Sequence, residues 1–267
     1  MYAFWYTLGM SAPSLQAQVA IVSGASRGVG AETALLLARE GCAVVLTARE
    51  QEWLEMVARD ITGRGGRAIT VAGDITDLEM VEEVVESALG RFDRIDIVVN
   101  AAGIVWPLGA AVDTDPEEWA YAIHTNLIGP FYFANNVLPF MLDQGYGRIV
   151  NLTCGSGRLP ARGESALRAA KAGLETWTHA VASELIGSGV VIACLDPGVV
   201  DSGTRREVLE MDIDDDTIDL TAWLPAAGAD ALCSPADAAR KVVSLVRDMK
   251  ENRPGHIYGL EGKALKS

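Results

Sequence analysis

Three glycines at a strand-to-helix junction constrain this chain more than any other feature of its sequence. Gly24, Gly28 and Gly30 lie between an apolar run, 18–23, and an amphipathic segment that begins near residue 30. The first glycine permits a tight turn, and the next two let backbone amides approach a pyrophosphate and let the helix pack close to the sheet. Because the trio stands at the start of a series of strand–helix units, it indicates a phosphate-binding turn.

Short apolar runs alternate with amphipathic segments along the rest of the chain, which is typical of βαβ units and a parallel sheet. The predicted strands are 18–23, 43–48, 67–72, 95–100, 148–153, 190–195 and 256–258. The predicted helices are 30–39, 51–62, 78–89, 117–142, 165–186 and 235–250, and Pro130 and Pro139 should kink or interrupt the fourth. We predict a doubly wound (Rossmann) α/β fold, with about seven parallel strands, helices on both faces and the glycine turn at the topological switch point.

Composition narrows the class of protein further. The chain has 267 residues, 49% of them hydrophobic, which suits one large domain over 15–267. Its net charge of −14 repels phosphate backbones and anionic lipid, so we expect no nucleic-acid partner and no membrane partner. No apolar run reaches the roughly 20 residues that span a bilayer. Four widely spaced cysteines without a CxxC pair indicate no metal site and favour free thiols in the cytoplasm.

Two segments stand apart from this regular pattern. Residues 1–14 form an extension that we expect to be poorly ordered. Its aromatic start lacks the basic residues of a secretion signal, and it is either an upstream start codon, with Met10 as the ordinary start, or an arm that packs on a partner subunit. Residues 199–234 lack clear periodicity and are predicted to form a substrate loop. The acidic run 212–216 inside that loop indicates a solvated face rather than a cation site.

The GxxxGxG spacing of the three glycines resembles that of the short-chain dehydrogenase/reductase family, and further motifs follow in the family's order. They are Asp74-Ile75 after the third strand, Asn100-Ala101-Ala102-Gly103 after the fourth, Asn126-Leu127-Ile128-Gly129 on the long helix, and Pro197-Gly198 after the sixth strand. The resemblance covers about residues 15–260. It implies a nicotinamide dinucleotide cofactor, a small-molecule substrate and a homodimer or homotetramer, and apolar faces on the two long helices also suit pairing across a two-fold axis.

The resemblance implies which residues bind the cofactor. They are Gly24, Ser26, Arg27, Gly28, Val29, Gly30, Arg49, Asp74, Ile75, Asn100, Ala101, Gly103, Lys171, Pro197, Gly198 and Val200. Ala48 stands where NAD-dependent members of the family carry an acidic residue, and Arg27 and Arg49 could grip a 2′-phosphate. We therefore predict NADP(H) rather than NAD(H), although Glu50 could turn inward and two merely solvated arginines remain an alternative.

The catalytic positions depart from the family's pattern. The family uses Asn, Ser, Tyr and Lys, and the resemblance assigns Asn126 and Lys171 to two of these roles. The Tyr of the YxxxK spacing falls on Leu167, and the Ser thirteen residues earlier falls on Cys154. Leucine cannot perform acid–base catalysis. Cys154 could donate a weak hydrogen bond, act as a nucleophile or merely fill the strand end, and we include it with Asn126 and Lys171 as candidate catalytic residues.

The remaining candidates concern the proton donor and the substrate pocket. Other donors are conceivable, although none occupies the expected position: Thr153, Ser156, Glu164, Ser165 and His124. Trp106, Cys154, Leu167 and Trp223 are the candidate pocket residues, and they suggest an apolar or aromatic ligand. For each tryptophan, packing in the core is an equal alternative.

Three functions remain open from the sequence. The first is an atypical NADP(H)-dependent oxidoreductase, whose proton comes from water or another side chain or whose acceptor is already activated. The second is a catalytically silent NADP(H)-binding protein that senses the nucleotide or pairs with an active relative. The third is an enzyme that uses the same pocket without hydride transfer.

Overall fold

A computed structural model shows a seven-stranded parallel sheet with the strand order β3-β2-β1-β4-β5-β6-β7. The structure describes residues 14–154, 161–211, 217–224, 232–249 and 257–258. The order reverses between β1 and β4, which are hydrogen-bonded neighbours in the middle of the sheet. The predicted doubly wound fold is therefore confirmed, with its topological switch point at the ends of these two strands.

The strands and helices follow the predicted alternation closely. The strands are β1 (Val19–Ser23), β2 (Ala43–Ala48), β3 (Arg67–Ala72), β4 (Ile97–Asn100), β5 (Gly147–Leu152), β6 (Val190–Leu195) and β7 (Ile257–Tyr258). The α-helices are α1 (Gly28–Arg39), α2 (Gln51–Gly63), α3 (Leu78–Phe92), α4 (Pro116–Ile123), α5 (Gly129–Gln144), α6 (Ser165–Glu184), α7 (Gly203–Glu210) and α8 (Pro235–Asp248).

Helices cover the sheet on both faces. Every residue of β1, β2, β4 and β6 is buried, as expected for central parallel strands. On one face, Leu37 of α1, Leu54 of α2 and Val242 of α8 belong to one hydrophobic cluster. On the other face, Val81 of α3 and Phe133 of α5 belong to a second cluster. The sheet thus lies between two layers of apolar side chains, and these layers leave the carboxyl ends of its strands accessible to a ligand.

The long helix predicted over 117–142 is interrupted. α4 ends at Ile123, a π-helical turn covers His124–Ile128, and α5 then begins at Gly129. The Gly129 N–H bonds the carbonyl of His124, five residues earlier, which widens the helix at this turn. Pro130 lies in the first turn of α5, where a missing N–H is tolerated, and α5 continues through Pro139. The predicted interruption thus occurs at the π turn and not at Pro139.

The aperiodic segment 199–234 contains structure that its sequence did not reveal. It enters and returns at a bridge between Val200 and Cys233, where the N–H of Asp201 bonds the Cys233 carbonyl at 2.9 Å. Beyond this bridge lie α7 and a 3₁₀ turn, Leu220–Trp223. The acidic run 212–216 lies outside the described residues, as do residues 1–13 of the predicted N-terminal extension.

The four cysteines form no disulfide. Cys42, Cys194 and Cys233 are buried, whereas Cys154 is partly exposed. Burial raises the pKa of the Cys42 thiol to about 12. Across the described ranges, no helix combines the length and the apolar character that would be needed to cross a membrane. Within the same ranges, His, Cys, Asp and Glu side chains form no group of three that could hold a metal ion.

We predict that Gly30→Ala lowers the free energy of unfolding by about 1–3 kcal/mol, the usual cost of overpacking, because the added Cβ would press on rigid backbone. A Cβ on Gly30 would lie 2.2 Å from the carbonyl oxygen of Gly24. The measurement is urea unfolding followed by circular dichroism. Gly90→Ala is the matched control: a Cβ on Gly90, in α3, would meet nothing within 4 Å, and this change should stabilise by about 0.5–1 kcal/mol. Equal stabilities of the two variants would contradict the prediction.

Candidate functional site

The turn after β1 brings backbone segments into very close contact. A Cβ on Gly24, whose φ is +66°, would lie 2.7 Å from the Ala102 backbone nitrogen. Gly30 packs in the same way against Gly24 itself. Only glycine therefore fits at both positions. α1 begins at Gly28, and its unpaired N–H groups and the positive end of its dipole lie at the mouth of this turn, which favours an anionic ligand.

An open cleft of about 310 Å³ lies beside this turn, at the carboxyl edge of the sheet. The predicted cofactor-binding residues that line the cleft are Gly24, Ser26, Arg27, Gly28, Val29, Gly30, Arg49, Asp74, Ile75, Ala101 and Gly103. The cleft is also lined by residues that were not among the predicted site residues: Ala48, Glu50, Gly73, Ala102, Ile104, Tyr121, Thr125, Leu152, Ser202, Gly203 and Thr204. Segments that follow neighbouring strands thus converge where the topology places a ligand.

Other predicted cofactor-binding residues lie outside the lining of this cleft. Asn100 is buried, and its side-chain N–H donates to the Asn151 side chain at 2.8 Å, so it ties β4 to β5. Pro197, Gly198 and Val200 follow β6 and form the neck of the 199–234 segment. There, the Gly198 N–H bonds the Asp196 carboxylate at 2.8 Å, and Val200 forms its bridge with Cys233.

Asn126 lies in the π turn, fully buried. Its side-chain N–H₂ donates to the carbonyls of Ile104 at 2.8 Å and Ala122 at 3.0 Å. Its Oδ1 atom is buried and has no hydrogen-bond partner in the structure. A Cβ on Gly103 would lie 2.8 Å from that oxygen. The two donated bonds fix the amide, and they leave an acceptor directed at the backbone of Gly103, beside the cleft.

Lys171, on α6, is buried close to the same point. Its Nζ donates to the Leu152 carbonyl at 2.8 Å, at the end of β5. A Cβ on Gly103 would lie 3.7 Å from Nζ, so the ammonium group and the Asn126 oxygen flank one glycine. Burial lowers the pKa of Lys171, while the nearby Cys154, Cys194 and Glu175 oppose that shift. The structure thus brings together two of the predicted catalytic residues.

The other two predicted active-site positions lie next to this pair. Leu167 is buried, one helical turn before Lys171 on α6. Cys154 follows β5 and is partly exposed, and its interaction with Lys171 partly opposes the lowering of the lysine pKa by burial. Neighbouring Thr153 donates its hydroxyl to the buried Glu175 carboxylate at 2.7 Å. The candidate catalytic residues therefore surround the carboxyl end of β5.

The two tryptophans differ in their relation to this region. Trp223, in the 3₁₀ turn, donates its ring N–H at 2.7 Å to Glu164, which is buried at the start of α6. Arg168 pairs with the other carboxylate oxygen of Glu164 at 2.9 Å. This bond holds Trp223 beside Glu164, which lies one helical turn before Leu167. Trp106 is half-buried in the loop after β4 and does not line the cleft.

The two predicted phosphate-binding arginines lie at the rim of the cleft. Arg27 approaches Glu207 of α7 at 3.7 Å, with both side chains more than half exposed. Arg49 lies 3.8 Å from Glu50, and its Nη1 donates to the Tyr121 hydroxyl at 3.3 Å. Both guanidinium groups are accessible from the cleft, as a dianionic ligand requires. Glu50 turns toward Arg49 and also approaches the Ser26 hydroxyl at 3.5 Å.

Helical spacing could have found part of the missed lining. Tyr121 and Thr125 precede Asn126 by five residues and one, and they lie four residues apart on one helix face. The sequence contained no comparable signal for Ser202–Thr204, because these residues reach the cleft only through the path of the 199–234 segment.

The family model described as "short chain dehydrogenase" matches residues 18–213. Among curated proteins, the chain is similar to a 3-oxoacyl-[acyl-carrier-protein] reductase of Synechocystis sp. The two are 38% identical over 188 residues, which is 70% of this chain and 76% of the relative.

Solved structures show the same similarity over nearly the whole chain. A metagenomic short-chain oxidoreductase in complex with NADP has a TM-score of 0.74 and 30% identity, covering 91% of this chain and 95% of the other. A point variant of the actinorhodin polyketide ketoreductase with NADPH has a TM-score of 0.80 and 27% identity, covering 94% of this chain and 98% of the other. Fold, cleft, motif order and these similarities lead to one conclusion: the chain belongs to the short-chain dehydrogenase/reductase family.

Proposed function

We propose that this protein is an oxidoreductase that binds NADP(H) in the cleft and transfers hydride to or from a small-molecule substrate. The observation that carries the proposal is the glycine turn at the topological switch point, with an open cleft beside it and α1 beginning at its mouth. Two similar solved structures hold NADP or NADPH, which supports the choice of cofactor. The named relative is an oxidoreductase, and this does not favour the catalytically silent alternative.

The residues of the cleft fit a dinucleotide. Gly24 and Gly30 carry no Cβ that would collide with the backbone packed behind the turn, so the turn stays tight and its backbone amides can approach a pyrophosphate closely. Asn126 keeps an unsatisfied buried oxygen beside Gly103. A buried acceptor without a partner is costly, and a bound ribose hydroxyl or water would satisfy it.

A bound nicotinamide would supply or accept the hydride, and the protein side chains would position the reactants and supply or remove the proton. Lys171 brings positive charge to the end of β5, where it can hold ribose hydroxyls and favour negative charge on a neighbouring oxygen. Asn126 fixes the backbone after β4 through Ile104. Leu167 excludes water but has no proton to give.

Several alternative proton donors are already engaged. Thr153 donates its hydroxyl to Glu175, and both oxygens of Glu164 accept bonds from Trp223 and Arg168. The Ser165 hydroxyl accepts the Trp119 ring N–H at 3.2 Å and keeps its own proton. His124 is exposed on the π turn rather than packed in the core. Ser156 lies outside the described residues. An acceptor that needs little protonation, such as an iminium in an apolar pocket that includes Leu167, would not depend on any of these groups.

We also propose a cytoplasmic location and assembly into a homodimer or homotetramer. Four cysteines without a disulfide suit a reducing compartment. Phe131 and Leu142 are exposed on one face of α5, and the ring of Phe131 makes an edge-on contact with Trp177 of α6. An apolar face of this kind is typical of helices that pair across a two-fold axis.

We predict that the protein binds NADPH more tightly than NADH, and that Arg49→Ala narrows this preference. Loss of a charge-assisted contact to the 2′-phosphate should weaken NADPH binding by roughly 10- to 100-fold, since such a bond is worth about 1.5–3 kcal/mol. The affinity for NADH should change little. The measurement is fluorescence titration with each nucleotide.

Arg64→Ala is the matched control for this titration. Arg64 is an exposed arginine that pairs with Asp60 at the end of α2, and it does not line the cleft. Equal affinities of the unmodified protein for the two nucleotides would show that the arginines do not select NADPH.

We predict that the unmodified protein reduces simple ketones slowly, because general acid catalysis normally contributes about 10²–10⁴-fold. The paired change Leu167→Tyr with Cys154→Ser should raise the rate of ketone-dependent NADPH oxidation. Leu167→Phe with Cys154→Ser introduces a similar ring without the hydroxyl, so it should stay slow. Brisk turnover of ordinary ketones by the unmodified protein would show that another group donates the proton.

We predict a dimer or tetramer by multi-angle light scattering at micromolar concentration. Phe131→Glu should shift the protein toward smaller species, because it places a charge on the α5–α6 face. Met56→Glu is the control, since Met56 is a similarly exposed apolar residue on α2. A monomeric unmodified protein would refute the assembly.

A further inference from the structure

Three side chains from three separate elements meet at one end of the cleft. Arg49 follows β2, Asp74 follows β3, and Tyr121 projects from α4. The Tyr121 hydroxyl donates to the Asp74 carboxylate at 2.5 Å and accepts a hydrogen bond from Arg49 Nη1 at 3.3 Å. One phenol oxygen thus links the cation and the anion.

The charges of the three groups reinforce this arrangement. Hydrogen bonding to Tyr121 raises the pKa of Arg49. Burial raises the pKa of the Tyr121 hydroxyl, and its bond to Asp74 adds to this, so the phenol remains protonated. Burial alone would raise the pKa of Asp74, but bonds from Tyr121 and Thr76 and the charge of Arg49 outweigh it and lower that pKa. The carboxylate is therefore ionised and the phenol is a neutral donor at neutral pH.

Tyr121 stands on a firm support. α4 begins with Pro116, and the Asp115 carboxylate caps the N–H groups of Glu117 at 2.8 Å and Glu118 at 3.1 Å. Arg49 is held less firmly. Its side chain is 54% exposed, and the neighbouring Glu50 carboxylate lies 3.8 Å away, which is beyond hydrogen-bond distance. A long exposed side chain loses rotamer entropy when it is fixed on a ligand, and an existing hydrogen bond reduces that loss.

We propose that Tyr121 is a positioning residue that holds Arg49 for the 2′-phosphate of the cofactor and so sets the preference for NADPH over NADH. With Nη1 engaged by the Tyr121 hydroxyl, the remaining donors of the planar guanidinium group stay available to phosphate oxygens. Asp74 holds the phenol from the other side. The inference rests on the proposed binding of NADP(H), and it adds a specificity residue to that function.

The test is Tyr121→Phe, which keeps the ring and removes only the hydroxyl. We expect NADPH binding to weaken about 5- to 10-fold, because Arg49 would then have to lose its own rotamer freedom on binding, and fixing one long side chain has a cost of about this size. NADH binding should change by less than about twofold, since NADH lacks the 2′-phosphate that Arg49 would contact. Adenosine 2′,5′-bisphosphate, a probe without nicotinamide, should weaken in parallel with NADPH. Tyr132→Phe, on α5 and outside the cleft lining, is the matched control.

A double-mutant cycle separates positioning from general damage to the cleft. If Tyr121 acts through Arg49, Tyr121→Phe should have no further effect on NADPH affinity in the Arg49→Ala background. Additive effects, equal losses for NADPH and NADH, or tighter NADPH binding by Tyr121→Phe would each overturn the inference. Failure of the unmodified protein to bind NADPH would instead overturn the proposed function, whereas normal binding with no effect of Tyr121→Phe would overturn the inference alone.

Discussion

The contact between the backbones that follow β1 and β4 is the constraint on which the site depends. Ser23 and Asn100 are register partners at the ends of these strands, and the chain leaves the sheet from both. Gly24 then packs on Ala102 at a distance that excludes any side chain, and the Ala102 N–H approaches the Ser23 hydroxyl at 3.3 Å. The strand order reverses here, so helices lead away to opposite faces and the cleft opens between them.

A second close contact links this geometry to Asn126 and Lys171, two of the predicted catalytic residues. Gly103, one residue beyond the packed segment, lies against the Asn126 oxygen and close to Lys171. Asn126 reaches this position because the π turn widens the helix, and Lys171 does so because its ammonium group is anchored on the Leu152 carbonyl. The π turn and α6, which are far apart from Gly103 in sequence, therefore both place a polar side-chain atom against it. A displacement of the turn after β1 would move Gly103 and, with it, the Asn126 oxygen and the Lys171 ammonium group that lie against it.

Most of the fold could be predicted from the sequence because most strands and helices have their own local pattern of apolar residues. The bounds of β2 and β6 coincide with the predicted runs, since buried parallel strands are short and almost continuously apolar. The bounds of β3 coincide as well, although it is an edge strand with exposed ends. The glycine turn was found because backbone contact dictates its residue type. Tyr121 was missed because its role depends on tertiary position. Helical spacing relative to Asn126 could have placed Tyr121 near the cleft, but its bonds to Arg49 and Asp74 follow only from the packing of α4 beside the ends of β2 and β3.

The 199–234 segment, whose α7 had no periodicity to predict it, joins the two ends of the site. Its residues Ser202–Thr204 line the cleft, and Trp223 near its end bonds Glu164. Glu164 immediately precedes α6, on which Leu167 and Lys171 lie one and two turns further along. A residue that replaces Leu167 would therefore lie one helical turn from the contact between Glu164 and Trp223. Position 167, which the family's spacing predicts to hold the proton donor, is thus linked to the cleft through this segment as well as through α6.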